Sequence, residues 1–352
     1  MTVATSQLDQ RPEGQLNGVR IEEFRISGNE VSGIRGDTEG YQNFLSHGKF
    51  DIMMNYAAQQ WSADLAFPLL ERLSYCKVLA PCGFSALFNS KYEHYFRSLP
   101  RCLGKYDHLV FHSHTYRDVQ FAKAHGLDHF SVIPNAASQE EFEATEVTFR
   151  QMHAIPEAMP LLLTVCNHTR GKGHRLVMEA FRKARTGPAV LVIIGKAIGR
   201  LSCLPACKLG AGIVRTTSLG TKRVLLLDVP REVVVAAYKA ADLFVLGSHL
   251  ECSPLVLFEA LASRTPFVST DCGNAQEIAA WTGGGVVVPS SRTKDGTVSA
   301  ESSAMADMIE ALLTDSGKRQ AMADAGFKSW RERFTWERIT DRYEQLYRSL
   351  AQ

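Results

Sequence analysis

The feature that most constrains this chain is a series of ten short apolar runs, rich in β-branched residues and separated by segments long enough for a helix. They are "FDIMMNY" (50–56), "CKVLAPC" (76–82), "HLVFHS" (108–113), "FSVIP" (130–134), "LLLTVCN" (161–167), "VLVIIG" (190–195), "RVLLLD" (223–228), "LFVLGS" (243–248), "FVSTD" (267–271) and "GVVVP" (285–289). A strand with one wet face alternates apolar and polar residues, whereas these runs are continuous, as parallel strands covered on both faces must be. An α/β architecture of parallel, doubly wound sheets is therefore expected. At 352 residues the chain exceeds one ordinary core, which points to two domains.

The polar, acidic, proline-bounded stretch from Pro134 to Pro160 breaks the pattern, so the boundary falls inside it. The expected organisation is a disordered N-terminus over 1–20, a first domain over 21–150, a second over 151–334 and a C-terminal helix over 335–352. The stretch "SSRTKDGTVSAESS" (290–303) reads as a flexible surface loop. Residues 1–20 lack the basic start and apolar centre of a signal peptide, and no run reaches the roughly 18 apolar residues a membrane helix needs. The expected location is cytoplasmic, with at most peripheral membrane contact, and nothing points to nucleic acid.

Net charge is +2 but unevenly spread: residues 1–150 carry 14 Lys and Arg against 18 Asp and Glu, and residues 151–352 the remaining 25 against 19. The second half is the better host for an anionic ligand. Eight cysteines are scattered, several inside apolar runs where a reduced thiol packs as a small hydrophobe. Cys203 and Cys207 could begin a zinc site, but no matching pair of cysteines or histidines follows them, so no metal is expected. His168 and His174 read as hydrogen-bonded structural groups.

In open α/β sheets, ligands bind beyond the carboxyl ends of the strands. Two such places carry chemistry. After "LFVLGS" comes "HLECSPLVLFEALAS", in which Glu251 and Glu259 stand eight positions apart among apolar or small residues. Ser253 suits the cap of a helix and Pro254 its first position. The N–H groups of Leu255 and Val256 would then face outward with the positive end of the helix dipole, ready for phosphate oxygens. The flanking carboxylates accept hydrogen bonds from hydroxyls, as a ligand with phosphate between two sugars requires. The plainer alternative has Glu251 favouring the dipole and Glu259 pairing with an arginine. After "LLLTVCN" comes "HTRGKGHRLVMEAF", which places Arg170 and Lys172 in a glycine-containing loop where two cations can hold a diphosphate.

The segments "PNAASQEEF", "TVCNHTRGKGHRLVMEAF", "AADLFVLGSHLECSPLVLFEALASRTPFVSTDCGNAQEI" and "FTWERITDRYEQLY" resemble consecutive landmarks of glycosyltransferase family four, retaining enzymes of the GT-B fold. The resemblance implies two Rossmann-like domains facing a cleft, with the C-terminal helix packing back on the first. It also implies a metal-independent transfer from a nucleoside-diphosphate sugar to a sugar, lipid-linked or small-molecule acceptor, without a cofactor. Glu251 matches the glutamate facing the donor sugar and reacting centre, Glu259 the one holding the ribose, and Lys172 the lysine on the diphosphate. Cys252, Ser253, Leu255 and Val256 occupy the turn that meets sugar and phosphate. The usual arginine five residues before the lysine is Asn167, which leaves Arg170 to supply the second cation. Cys82 stands where the family often has a histidine, so Cys82, Gly83 and Ser113 fall on the acceptor side. The family's opening strand, glycine-rich loop and first helix are not evident, so the first domain is expected to be shortened. Two rivals remain open: a catalytically silent glycosyltransferase-like partner, and a sugar phosphorylase.

Overall fold

The computed structural model describes residues 1–8, 14–144, 148–199 and 202–351. It divides into Met1–Ile133 with Tyr343–Gln352, and Pro134–Arg342.

In the first unit, the strands Ile52–Tyr56, Cys76–Ala80, His108–Phe111 and Phe130–Val132 form a parallel sheet in sequence order. Such a run of parallel strands in sequence order is one half of a doubly wound pattern. Its core is aromatic, with Tyr41, Trp61, Phe67, Phe84, Phe96 and Phe111 buried together. The N-terminus departs from the disorder expected over 1–20. Thr2–Ser6 is a strand parallel to Val19–Phe24, which in turn pairs with Gln15–Leu16; residues 9–13 lie outside the described set. The polar composition of "TVATS" hides this strand, because it is secured by hydrogen bonds as well as packing. Ser6 Oγ donates to the Ile26 carbonyl at 3.1 Å and accepts from Trp61 Nε1 at 2.9 Å. At the other end of the chain, the Tyr347 hydroxyl meets the Met54 sulfur at 2.6 Å.

The second unit holds six parallel strands in the order Lys222–Leu227, Ala189–Ile194, Leu161–Val165, Leu243–Leu246, Phe267–Thr270, Gly285–Val288. Numbered along the unit, that is 3-2-1-4-5-6, the doubly wound order. Neighbouring side chains enter opposite cores. Leu161 and Leu163 pack with the helices Arg231–Ala240 and Leu255–Ala262, while Leu162 packs with His174–Lys183 and Ser302–Thr314. Both faces are thus apolar, which is why the strands read as unbroken hydrophobic runs.

The stretch 290–303 is not the loose loop its composition suggested. Ser290–Arg292 and Val298–Ala300 form an antiparallel hairpin, and Val298 is buried. Val298 N–H donates to the His249 carbonyl at 2.8 Å, and the His249 ring returns a bond from Nδ1 to the Val298 carbonyl at 2.8 Å. Thr293, Asp295 and Thr297 close the turn among themselves. That use of polar residues is invisible to a composition count. Among the described residues, no helix is long and apolar enough to cross a membrane.

Candidate functional site

The order of the second sheet reverses between Leu161–Val165 and Leu243–Leu246, and the loops leaving these two strands meet at this switch point. Both loops carry the residues singled out by the sequence. The first runs through a single 3-10 turn, Arg170–Lys172, and enters the helix His174–Lys183 at Gly173. Gly173 has φ +65°, and a Cβ there would be driven into the Gly247 carbonyl of the second loop. The two loops can approach this closely only because both contacting residues are glycines. His249 N–H also donates to the Gly171 carbonyl at 2.9 Å.

Across this seam Lys172 Nζ donates to Glu251 Oε1 at 2.6 Å, with the two side chains 31% and 17% exposed. The same carboxylate oxygen accepts from Ser248 Oγ at 2.7 Å. Ser248 is wholly buried, and its carbonyl accepts from Thr270 Oγ1 at 2.6 Å. Thus Glu251 is oriented by a second strand end as well as by Lys172. Ser248 was not anticipated, although its position as the last residue of "LFVLGS" is where such a group would be sought. Arg170 is exposed two residues before Lys172, and exposed Asn167 accepts from the Lys196 N–H at 3.2 Å through Oδ1.

The helix after the second loop begins one residue later than expected. It spans Leu255–Ala262 with Pro254 at the N-cap, and Ser253 Oγ makes no capping bond. The correction has a backbone cause: Pro254 adopts φ −69° and ψ 110°, an extended conformation that leaves the serine one position too far out. Ser253 is instead fixed through its carbonyl, which accepts from Asn135 Nδ2 at 2.9 Å. Asn135 lies in "PNAASQEEF", quoted only as a landmark, and emerges as a support for this turn. The Cys252 carbonyl accepts from Asn274 N–H at 3.0 Å, over Gly273 at φ +58°. Leu255 is 44% exposed at the helix start, and Val256 is half-buried beside it. Their N–H groups precede the first intrahelical acceptors and remain oriented by the dipole.

Glu259 pairs with an arginine, the plainer of the two readings open for it. Arg231 Nη2 donates to Glu259 Oε1 at 2.6 Å, while its Nε and Nη2 also take both oxygens of Glu141 at 2.7 and 2.8 Å. Arg231 opens the helix after the strand Lys222–Leu227, again at a carboxyl end. The Arg231 guanidinium holds the Glu141 carboxyl below its usual range.

The residues expected on the acceptor side lie in the first unit. Cys82, Gly83 and Phe84 have φ of +58°, +99° and +46°, a tight turn straight after the strand Cys76–Ala80. Cys82 Sγ donates to the Ala80 carbonyl at 3.3 Å and lies 3.8 Å from His112 Nε2, and burial raises its thiol to about 11. Ser113 Oγ is buried and accepts from Thr115 and Tyr116 N–H at 3.1 and 2.8 Å, leading into the helix Arg117–Ala124. That local capping role is structural. Asp118, on the same helix, is fully buried; its carboxyl is raised to about 6 by burial, against hydrogen bonds from the Val119 and Gly83 N–H groups.

A cavity of about 380 Å³ is lined by Arg150, Glu157, Lys239 and Asp242 among others. Asp242 accepts from Leu161 N–H at 2.8 Å, so this cavity lies at the amino ends of the strands, opposite the loops described above. Its arginine is already engaged by Asp242 and by backbone carbonyls, and a site is not built there.

Comparison with known proteins follows the same unit. The family of glycosyl transferases group 1 matches residues 146–329. A D-inositol 3-phosphate glycosyltransferase of Corynebacterium urealyticum is 33% identical over 233 residues, covering 62% of this chain and 51% of that protein. The chain thus spans about half the length of the curated relatives it matches. Among solved structures, the sucrose-phosphate synthase of Thermosynechococcus elongatus superposes with a TM-score of 0.78 at 18% identity, covering 99% of this chain and 88% of that one. The Anabaena protein HepE, solved in complex with UDP, gives 0.71 at 15% identity, covering 94% and 86%. These likenesses carry the fold, which is of the GT-B type. With the family matching more than half of its length, over the unit that holds the Lys172–Glu251 seam, the chain belongs to the group 1 glycosyltransferases.

Proposed function

We propose that the protein transfers a glycosyl group from a nucleoside-diphosphate sugar to an acceptor hydroxyl, with retention at the anomeric carbon and no divalent ion at the reacting centre. The observation that carries this reading is the Lys172–Glu251 pair of 2.6 Å at the switch point of the second sheet. A cation and an acceptor-only carboxylate side by side suit a diphosphate next to a hydroxyl-bearing sugar. Lys172, Arg170 and the start of the helix at Leu255 would bear the charge of the leaving diphosphate, the task a metal ion performs in other transferases. Glu251, held by Ser248, would orient the sugar as an oxocarbenium-like centre forms. Glu259, steadied by Arg231, would accept hydrogen bonds from the ribose. The presence of UDP in the HepE structure favours a uridine donor as the first to try.

The test is release of nucleoside diphosphate by the full-length protein from a donor panel, with lipid-linked and soluble sugars as acceptors and no added magnesium or manganese. Turnover with an unchanged anomeric configuration is expected; inversion of the product would refute the retaining step.

One observation favours a second reading, a catalytically silent glycosyltransferase-like subunit. Cys82 stands where the family often carries a histidine, and its thiol is directed at the Ala80 carbonyl at 3.3 Å. Binding of a nucleoside diphosphate without turnover of any donor and acceptor pair would favour that reading.

A further inference from the structure

A second group of chemistry-bearing side chains lies behind the Arg170–Lys172 turn. His168 and His174 bracket that turn, and Cys203 and Cys207 stand at the start of the helix Leu204–Thr217. One ligand atom from each of the four falls within 4.8 Å of the others. His174 Nδ1 is 3.3 Å from Cys203 Sγ, His168 Nδ1 is 3.9 Å from it, and the two sulfurs are 3.9 Å apart. Around a tetrahedral zinc, with bonds of about 2.3 Å to sulfur and about 2.0 Å to nitrogen, ligand atoms are spaced by roughly 3.3 to 3.8 Å. The observed spacings are close to that range.

The surroundings fit as well. Both histidines and Cys207 are buried, and half-buried Cys203 leaves a way in. The backbone holds the ligands in place: His168 N–H donates to the Lys196 carbonyl at 2.8 Å, and Cys203 N–H to the His168 carbonyl at 3.2 Å. His174 Nε2 lies 3.1 Å from Cys166 Sγ. A proton on Nε2 directed at that sulfur leaves the Nδ1 lone pair for a metal, the arrangement by which a neighbouring group fixes a ligating imidazole. As a metal-free core, the same residues would bury two imidazoles and two thiols with weak mutual partners, where apolar side chains would pack at less cost.

We propose that His168, His174, Cys203 and Cys207 bind one zinc-type divalent cation as a structural clamp. Four protein ligands leave no open coordination position, so the ion would take no part in transfer. Binding displaces the protons of the two thiols to solvent, leaves both imidazoles neutral and forms two metal–sulfur and two metal–nitrogen bonds. The clamp staples both ends of the loop that carries Arg170 and Lys172 to the helix Leu204–Thr217. Its effect on diphosphate affinity rests on the donor reading above; metal binding itself does not.

The experiment uses the full-length chain, purified without a metal-affinity tag and analysed for bound metal. About one zinc per chain is expected. After removal of the metal, cobalt(II) should give intense sulfur-to-cobalt charge-transfer bands and the visible bands of tetrahedral coordination. Cys207→Ser should lose both, whereas Cys166→Ser should keep them, because Cys166 only orients His174. A wild-type protein that takes up neither zinc nor cobalt would overturn the proposal, as would a Cys203–Cys207 disulfide in the freshly purified chain. Since a ligand variant could fail to fold, wild-type protein freed of metal provides the independent measurement: added zinc should release about two protons per ion and raise the melting temperature. Zinc uptake without either response would overturn binding at the thiols. Zinc bound in full with no affinity for a diphosphate would sink the donor reading and leave the clamp standing.

Discussion

Lys172 and Glu251 share a 2.6 Å hydrogen bond that joins the loop leaving Leu161–Val165 to the loop leaving Leu243–Leu246. On the proposed donor reading, the charge of Lys172 is thus partly neutralised by Glu251 before a diphosphate binds. Lys172→Ala should weaken nucleoside-diphosphate binding by roughly 1.5 to 3 kcal/mol, the range for a hydrogen bond to a charged group. Glu251→Gln should act in the opposite direction on binding and yet damage catalysis. It frees Lys172, so the bare diphosphate should bind roughly fivefold tighter, about 1 kcal/mol. It also removes the charge beside the developing oxocarbenium, so kcat should fall about a hundredfold. Calorimetry and turnover on the same preparations check both signs; a Glu251→Gln protein with weaker diphosphate binding would refute the coupling.

Ser248 tests whether the position of Glu251 matters as well as its charge. Its hydroxyl is wholly buried and bonded to Glu251 at 2.7 Å. Ser248→Ala should lower stability by about 1 kcal/mol. It should also cut kcat by about tenfold, or ~1.4 kcal/mol, with the donor KM little changed. An unaltered kcat would mean that Lys172 alone sets the carboxylate.

Asp118 gives the fold a pH dependence. Burial raises its carboxyl from 3.8 to about 6. A carboxyl raised on folding stabilises the protein fully below its unfolded value, and that contribution is lost as pH rises through the folded value. Wild type should thus lose up to about 2 to 3 kcal/mol from this group between pH 4 and pH 7. Asp118→Asn, which cannot ionise, should match wild type near pH 4 and be more stable near pH 7.5. Urea melts at the two pH values decide it; equal gains at both would mean that packing, not ionisation, separates the two proteins.

The fold was legible because burial on both sheet faces writes itself into sequence as unbroken β-branched runs, and those ten runs are the ten parallel strands of the two main sheets. The strand Thr2–Ser6 was not, since its support comes from Trp61 and Ile26, distant in sequence. In the candidate site, Glu251 and Lys172 could be singled out from strand-end positions, but their mutual pairing spans 79 residues and needs the fold. Arg231 was equally hidden, and Ser248, although at a legible strand end, shows its role only through the bond to Glu251. The histidines beside Cys203 and Cys207 precede the cysteines by about thirty residues or more, so their grouping emerges only in the fold.

Glu259 and Arg231 supply the last expectation. The guanidinium is divided between Glu141 and Glu259, which leaves Glu259 oriented but still 13% exposed. If Glu259 holds the ribose, its contact is made equally in the ground and transition states, so its loss should appear in KM more than in kcat. Glu259→Gln should raise the donor KM by about tenfold with at most a small change in kcat. Glu141→Gln frees one arm of Arg231 without touching the ribose contact and should raise the donor KM by less than about twofold. A 2′-deoxy or 3′-deoxy donor makes the distinction chemical. If Glu259 accepts from a ribose hydroxyl, wild type should lose affinity for the donor lacking that hydroxyl, and Glu259→Gln should lose little more. Full additivity of the deoxy donor and the substitution would show that Glu259 serves Arg231 alone.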